Sequence, residues 1–70
     1  MERQSVQSTM IVSIGYESAT STLEVEFNDG PVWQYFDVPE SVYYEFLNAN
    51  SIGKYFHANI KGQYAESRVG

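Results

Sequence analysis

Apolar and polar positions alternate most clearly over Thr22-Leu23-Glu24-Val25-Glu26-Phe27. A period of two marks a strand with one buried face. Leu23, Val25 and Phe27 therefore point to a core, and Glu24 and Glu26 to water. Thr9 to Tyr16 reads as an earlier strand. Strict alternation puts Met10, Val12, Ile14 and Tyr16 on one of its faces and Ile11 and Ser13 on the other, with Gly15 as the candidate bulge. Glu17 to Ser21 is polar and forms the first turn. Asn28-Asp29-Gly30 forms the second, because Gly30 takes positive φ without a steric penalty. Val32 to Phe36 is the third strand.

Two registers are open for this hairpin, and they bury different side chains. A two-residue loop at Asp29-Gly30 pairs Phe27 with Val32 and puts Val32, Gln34 and Phe36 on the Leu23/Val25/Phe27 face. A three-residue loop pairs Phe27 with Pro31. It puts Trp33 and Tyr35 on that face, mostly buried, and leaves Gln34 in water. The second is favoured, since it buries two large rings and exposes the amide. Pro31 has no N–H to donate, which suits an edge strand.

The period changes after Asp37-Val38-Pro39, where Pro39 pre-sets φ for a first helical turn. Val42, Phe46 and Ala49 form one helical stripe, with Tyr43 and Leu47 beside it and Glu40, Tyr44 and Asn48 towards water. Asn50-Ser51 breaks this helix. Ser51 caps a second one, from about Ile52 to Asn59, whose Ile52, Tyr55, Phe56 and Ile60 meet the core. Gly62 ends it, and the remaining tail is polar with Tyr64 as an anchor. The expected fold is α+β: a three-stranded antiparallel β-meander followed by two short helices packed on one sheet face. One domain fills residues 1–70, with its core over about 6–64 and loose termini. The core motif is Leu23, Val25, Phe27, Trp33, Tyr35, Phe46, Tyr55 and Phe56.

Composition sharpens this picture in two ways. The chain has no Cys, so packing alone must hold it, and six Tyr, four Phe and one Trp supply the volume. The net charge of −5 is also unevenly spread. Residues 1–50 hold one Arg against eight acids, while residues 51–70 hold Lys54, Lys61 and Arg68 against Glu66. An acidic chain is a poor generic binder of nucleic acid. Its basic C-terminal segment, with His57, is the exception. No apolar run approaches the twenty or so residues of a membrane span, and no secretory leader is visible. A cytoplasmic monomer or weak dimer is expected, without membrane attachment.

Candidate chemistry is sparse. Glu24 and Glu26 share a strand face, but nothing in the sequence builds an apolar pocket around either one. His57 has Gly53, Lys54, Ile60 and Lys61 as helical neighbours, so no metal-ligand set forms around it. The serines lack a nucleophile elbow, and the glycines lack a phosphate-loop pattern. No enzyme activity and no cofactor are expected.

Several segments carry a family resemblance. They are Ser8-Thr9-Met10-Ile11-Val12-Ser13-Ile14-Gly15-Tyr16-Glu17; Leu23-Glu24-Val25-Glu26-Phe27 with Gly30; Trp33-Gln34-Tyr35 before Val38-Pro39; Val42-Tyr43; and Ala49 to His57 with Ile60-Lys61 and Tyr64. In order and spacing the chain resembles the KTSC domain, which occurs alone in bacterial and phage-related proteins and at the C-terminus of some lysyl-tRNA synthetases. The family's Tyr-x-Tyr motif falls on Trp33-Gln34-Tyr35, with Trp in place of the first Tyr. Its Ser-x-Gly-x-Tyr-Phe segment falls on Ser51, Gly53, Tyr55 and Phe56. The resemblance implies a small accessory domain, with RNA binding suggested by the synthetase fusion. The candidate RNA contacts are Lys54, His57, Lys61 and Arg68, away from the acidic strand face. The alternative is a protein–protein interaction module that uses an exposed strand edge, that of the third strand first, or a helix face.

Overall fold

The computed structural model describes residues 1–70. Seven elements follow one another: β1 (Arg3–Ser5), β2 (Ile11–Glu17), β3 (Thr22–Phe27), β4 (Val32–Tyr35), α1 (Glu40–Leu47), α2 (Ile52–Asn59) and β5 (Glu66–Arg68). The strands form one sheet in the order β1-β2-β3-β4-β5, with every neighbouring pair antiparallel. The sheet therefore has five strands rather than three. The expected meander is its centre, and both ends of the chain add an edge. Both terminal segments are paired: β1 pairs Arg3 with Gly15 and Ser5 with Ser13, and β5 pairs Glu66 with Tyr35 and Arg68 with Trp33. The edge of the third predicted strand, offered above as a docking edge, is thus occupied by β5.

The β3–β4 hairpin adopts the three-residue loop. Leu23 pairs with Tyr35 and Val25 with Trp33, and the Phe27 N–H donates to the Pro31 carbonyl at 2.9 Å. Gly30 closes the turn at φ 114°, a conformation that favours glycine. Directly opposed residues share a face, so Leu23, Val25, Phe27, Trp33 and Tyr35 all point to the helices.

In β2 the bulge lies at Val12, not Gly15: Ile11 pairs with Phe27 and Ser13 with Glu26, leaving Val12 as the extra residue. This corrects the simple alternation. Ile11 turns inward and is buried, while Val12 turns out and is 41% exposed. Ile14 and Tyr16 keep their inward face. Gly15 serves a different purpose. A Cβ there would lie 2.5 Å from the Glu2 carbonyl oxygen and 2.9 Å from Arg3 Cγ, so its bare Cα is what lets β1 close over it.

Both helices pack on the inward face. Phe46 of α1 and Ile52 and Phe56 of α2, with Ile60, join Ile11, Ile14, Leu23, Val25, Tyr35 and Val38 in one cluster. Phe27, Trp33 and Tyr55 are half-buried against it. The Ser51 hydroxyl caps α2 by accepting the Lys54 N–H at 3.3 Å. Gly62, at φ 79°, turns the chain back towards β4. Ser21 and Asp37 also take positive φ, at 55° and 59°. They flank the point where the Val38 N–H donates to the Ser21 carbonyl and the Tyr16 hydroxyl to the Val38 carbonyl.

The outward face is not simply solvated, which corrects a second expectation. Glu24 is only 8% exposed. Its carboxylate accepts from the Arg3 guanidinium at 2.5 Å and from the Gln34 amide at 2.8 Å, so Gln34 is half-buried rather than free. Ser13 accepts from Arg3 and donates to Glu26 beside this pair. Burial raises the proton affinity of Glu24, but the Gln34 and Arg3 hydrogen bonds outweigh it and hold the carboxyl below its usual range.

Candidate functional site

The sheet and α2 do not close completely over each other. Between them lies a cleft of about 250 Å³ lined by Met10, Phe27, Trp33, Tyr35, Phe56, His57, Lys61 and Glu66. Its position follows from the fold. The hairpin register brings Phe27, Trp33 and Tyr35 to one face. Phe56 on α2 meets Phe27 edge-on at 5.3 Å and Tyr35 edge-on at 5.7 Å, forming the inner wall. His57 follows Phe56 and faces the rim, where its ring meets Phe56 edge-on at 5.6 Å. Lys61 sits just past the helix, and Glu66 arrives on β5 opposite Tyr35.

Trp33 and Tyr35 divide between core and surface. Tyr35 is 3% exposed. Its hydroxyl bonds no protein group. Since no buried polar side-chain atom is left without a partner, that hydroxyl opens to solvent at the cleft it lines. Burial, and then the nearby Glu66 carboxylate, push its pKa up to about 12, so it is a hydroxyl and not a phenolate at neutral pH. Trp33 packs against the core with most of its surface buried, as expected, and the cleft it lines leaves the remainder of its ring uncovered.

Of the four basic candidates, two meet at the cleft: His57 and Lys61. Arg68 pairs with Trp33 across β4–β5 and so emerges on the same sheet face, though outside the cleft lining. Lys54 is exposed on α2 and does not line the cleft. None of the four forms an ion pair: both salt bridges of the chain belong to Arg3, with Glu24 and Glu26 on the opposite face. Met10 and Glu66 are the lining residues that sequence reasoning did not single out. Glu66 falls in a segment with no apolar period, and Met10 precedes the bulge. No group of three His, Asp or Glu side chains is placed to hold a metal, and no helix is long and apolar enough to cross a membrane.

Comparison with known proteins places this architecture. The KTSC domain profile matches residues 7–64. The chain belongs to the KTSC domain family. A crystal structure of a KTSC domain protein from Yersinia pestis superposes with a TM-score of 0.94 at 38% identity, covering 99% of this chain and 97% of that one. The segment also occurs within larger KTSC-containing proteins. Over 58 residues the chain is 47% identical to a lysine–tRNA ligase of Trichormus variabilis, covering 83% of this chain and 10% of the ligase. An uncharacterized protein of Stutzerimonas stutzeri is similar in size as well as sequence, at 38% identity over 91% of this chain and 90% of that one. The KTSC fold thus stands both as nearly a whole protein and as a small part of a synthetase.

Proposed function

We propose that this KTSC domain is a non-enzymatic accessory module that binds single-stranded RNA in the cytoplasm, using the aromatic cleft and the basic residues around it. The observation that carries the reading is the placement of unpaired His57 and Lys61 on the rim of a cleft whose walls are Phe27, Trp33, Tyr35 and Phe56. Aromatic walls stack bases and a basic rim holds the phosphates, the usual division in single-strand binders. Glu24 and Glu26, which would repel a backbone, lie on the other side of the sheet. The relatives named lysine–tRNA ligase support the reading by association, since their substrates include an RNA.

The test is a titration of labelled single-stranded and tRNA-like RNAs at two salt concentrations, followed by amide shift mapping. Shifts should centre on Trp33, Tyr35 and residues 56–61. At most three or four charges meet the backbone, so the log–log salt slope should not exceed about 3–4 in magnitude. Lys54→Glu with Lys61→Glu should abolish binding and leave the amide spectrum folded, because both side chains are exposed. Shifts centred on Glu24 and Glu26, or affinity indifferent to salt, would contradict this surface. A second reading, a protein-interaction module, draws support from α1, where Tyr44 stands 54% exposed beside Tyr43. Absence of RNA binding at low salt would favour it.

A further inference from the structure

Lys61 and Glu66 line the same cleft, yet they form no ion pair with each other or with any other residue. The Tyr35 hydroxyl, also without a protein partner, opens between the same walls. Beside the His57 ring at its rim, the cleft therefore offers one acceptor-only group, a carboxylate, and two donors, an ammonium and a hydroxyl. A ligand that satisfies all three presents N–H donors and an acceptor from a single body. The apolar walls Met10, Phe27, Trp33 and Phe56 require that body to be flat and largely unsolvated on its faces. At about 250 Å³ the space falls just below the ~300–1,000 Å³ of sites for drug-sized ligands, so it suits one ring system and not a stacked pair.

The four RNA bases differ on these terms. A carboxylate accepts one N–H direction from adenine, cytosine or uracil, and each places an acceptor next to that donor, where it faces the carboxylate's second oxygen. Guanine alone has two adjacent donors, N1–H and the N2 amine, with the O6 acceptor at the far end of the same edge. We infer that the cleft captures one unstacked guanine of a single-stranded RNA, its N1–H and N2 amine on the Glu66 carboxylate and its O6 towards the Tyr35 hydroxyl and Lys61. This assignment rests on the RNA reading above and adds the base that the cleft selects. Protonation of Tyr35 across the neutral range keeps that donor in place.

The experiment uses the whole chain at low salt and five uridine oligomers that differ only at the central residue: uridine, cytidine, adenosine, guanosine or inosine. The guanosine oligomer should bind roughly tenfold more tightly than the others, as a two-point base contact discriminates. Inosine, which keeps N1–H and O6 but lacks the N2 amine, should lose most of that gain. Glu66→Gln should reduce the guanosine preference to about threefold or less without weakening the all-uridine oligomer, because it removes a negative charge from the rim. An unchanged amide spectrum will show that the variant folds. RNA binding with no base preference, or a preference that survives Glu66→Gln, would overturn the guanine assignment while leaving the RNA reading intact. No RNA binding at low salt, or capture of an aromatic peptide in its place, would overturn both.

Discussion

Phe46 and Trp33 show how two large rings on one core differ in duty. Phe46 is fully buried, stacked on Tyr55 at 5.5 Å and on Phe56 at 6.3 Å. Truncating it leaves a cavity that the two neighbouring rings cannot both collapse into. Phe46→Ala should cost about 3–5 kcal/mol, comparable to the whole margin of so small a domain. Trp33 keeps part of its ring in the open cleft, so Trp33→Ala removes less buried surface and should cost about 1–2 kcal/mol. Urea denaturation followed by circular dichroism checks the order. A Trp33 variant as unstable as the Phe46 variant would place the indole in the core and close the cleft. That Trp33 faces the core and is mostly buried was legible from the alternation. The remaining distance between sheet and helix is a tertiary quantity that alternation does not encode.

At the scale of elements, legibility followed the amphipathic signal. The β3–β4 register and the span of α2, Ile52–Asn59, were readable because each carries a clear period and a turn or capping residue. β1 and β5 were not. Arg3-Gln4-Ser5 and Glu66-Ser67-Arg68 are exposed and polar throughout, held by backbone pairing and, in β1, by the Arg3 side chain, so they have no apolar pattern to detect. The bulge at Val12 was hidden for a related reason: Met10-Ile11-Val12 is apolar throughout, and either phase fits it. His57 and Lys61 were legible as a basic stripe on a helix end, whereas Glu66 became part of the cleft only through β5. Gly15→Ala tests how β1 is held. The new methyl would meet the Glu2 backbone and Arg3 Cγ, so β1 should detach while β2–β5 and the core persist. Amide exchange should then rise sharply at Arg3–Ser5 and stay low at Val25 and Phe46. Retained protection of β1 would mean that the two strands can separate enough to admit a side chain.

For the whole molecule, stability should fall at both extremes of pH, each for a separate cause. Glu24 holds its proton less tightly in the fold than in the open chain, so its contribution is present above its ordinary pKa of 4.5 and lost as pH drops through the folded value. Tyr35 and Tyr55 behave in the opposite sense. Burial raises both to about 12, aided by Glu66 for Tyr35 and by the Glu45 hydrogen bond for Tyr55. Their contribution is whole below the ordinary tyrosine pKa of about 10 and declines between pH 10 and 12 as only the unfolded chain ionises. Ultraviolet titration should find Tyr35 and Tyr55 titrating late, joined by Tyr43, whose pKa burial and then Tyr44 also raise, and Tyr35→Phe should remove one of them. A single common tyrosine transition near pH 10 would contradict these environments. The pairing of β5 with β4 has one more consequence. Tyr35 and Glu66 are neighbours although about thirty residues, including both helices, lie between them, so the entropy of closing that long loop must be overcome before they meet. The cleft is accordingly a property of the completed chain and not of any local segment. A ligand held there would tie the C-terminal strand to the hairpin, slow its fraying, and raise the melting temperature of the entire domain by mass action.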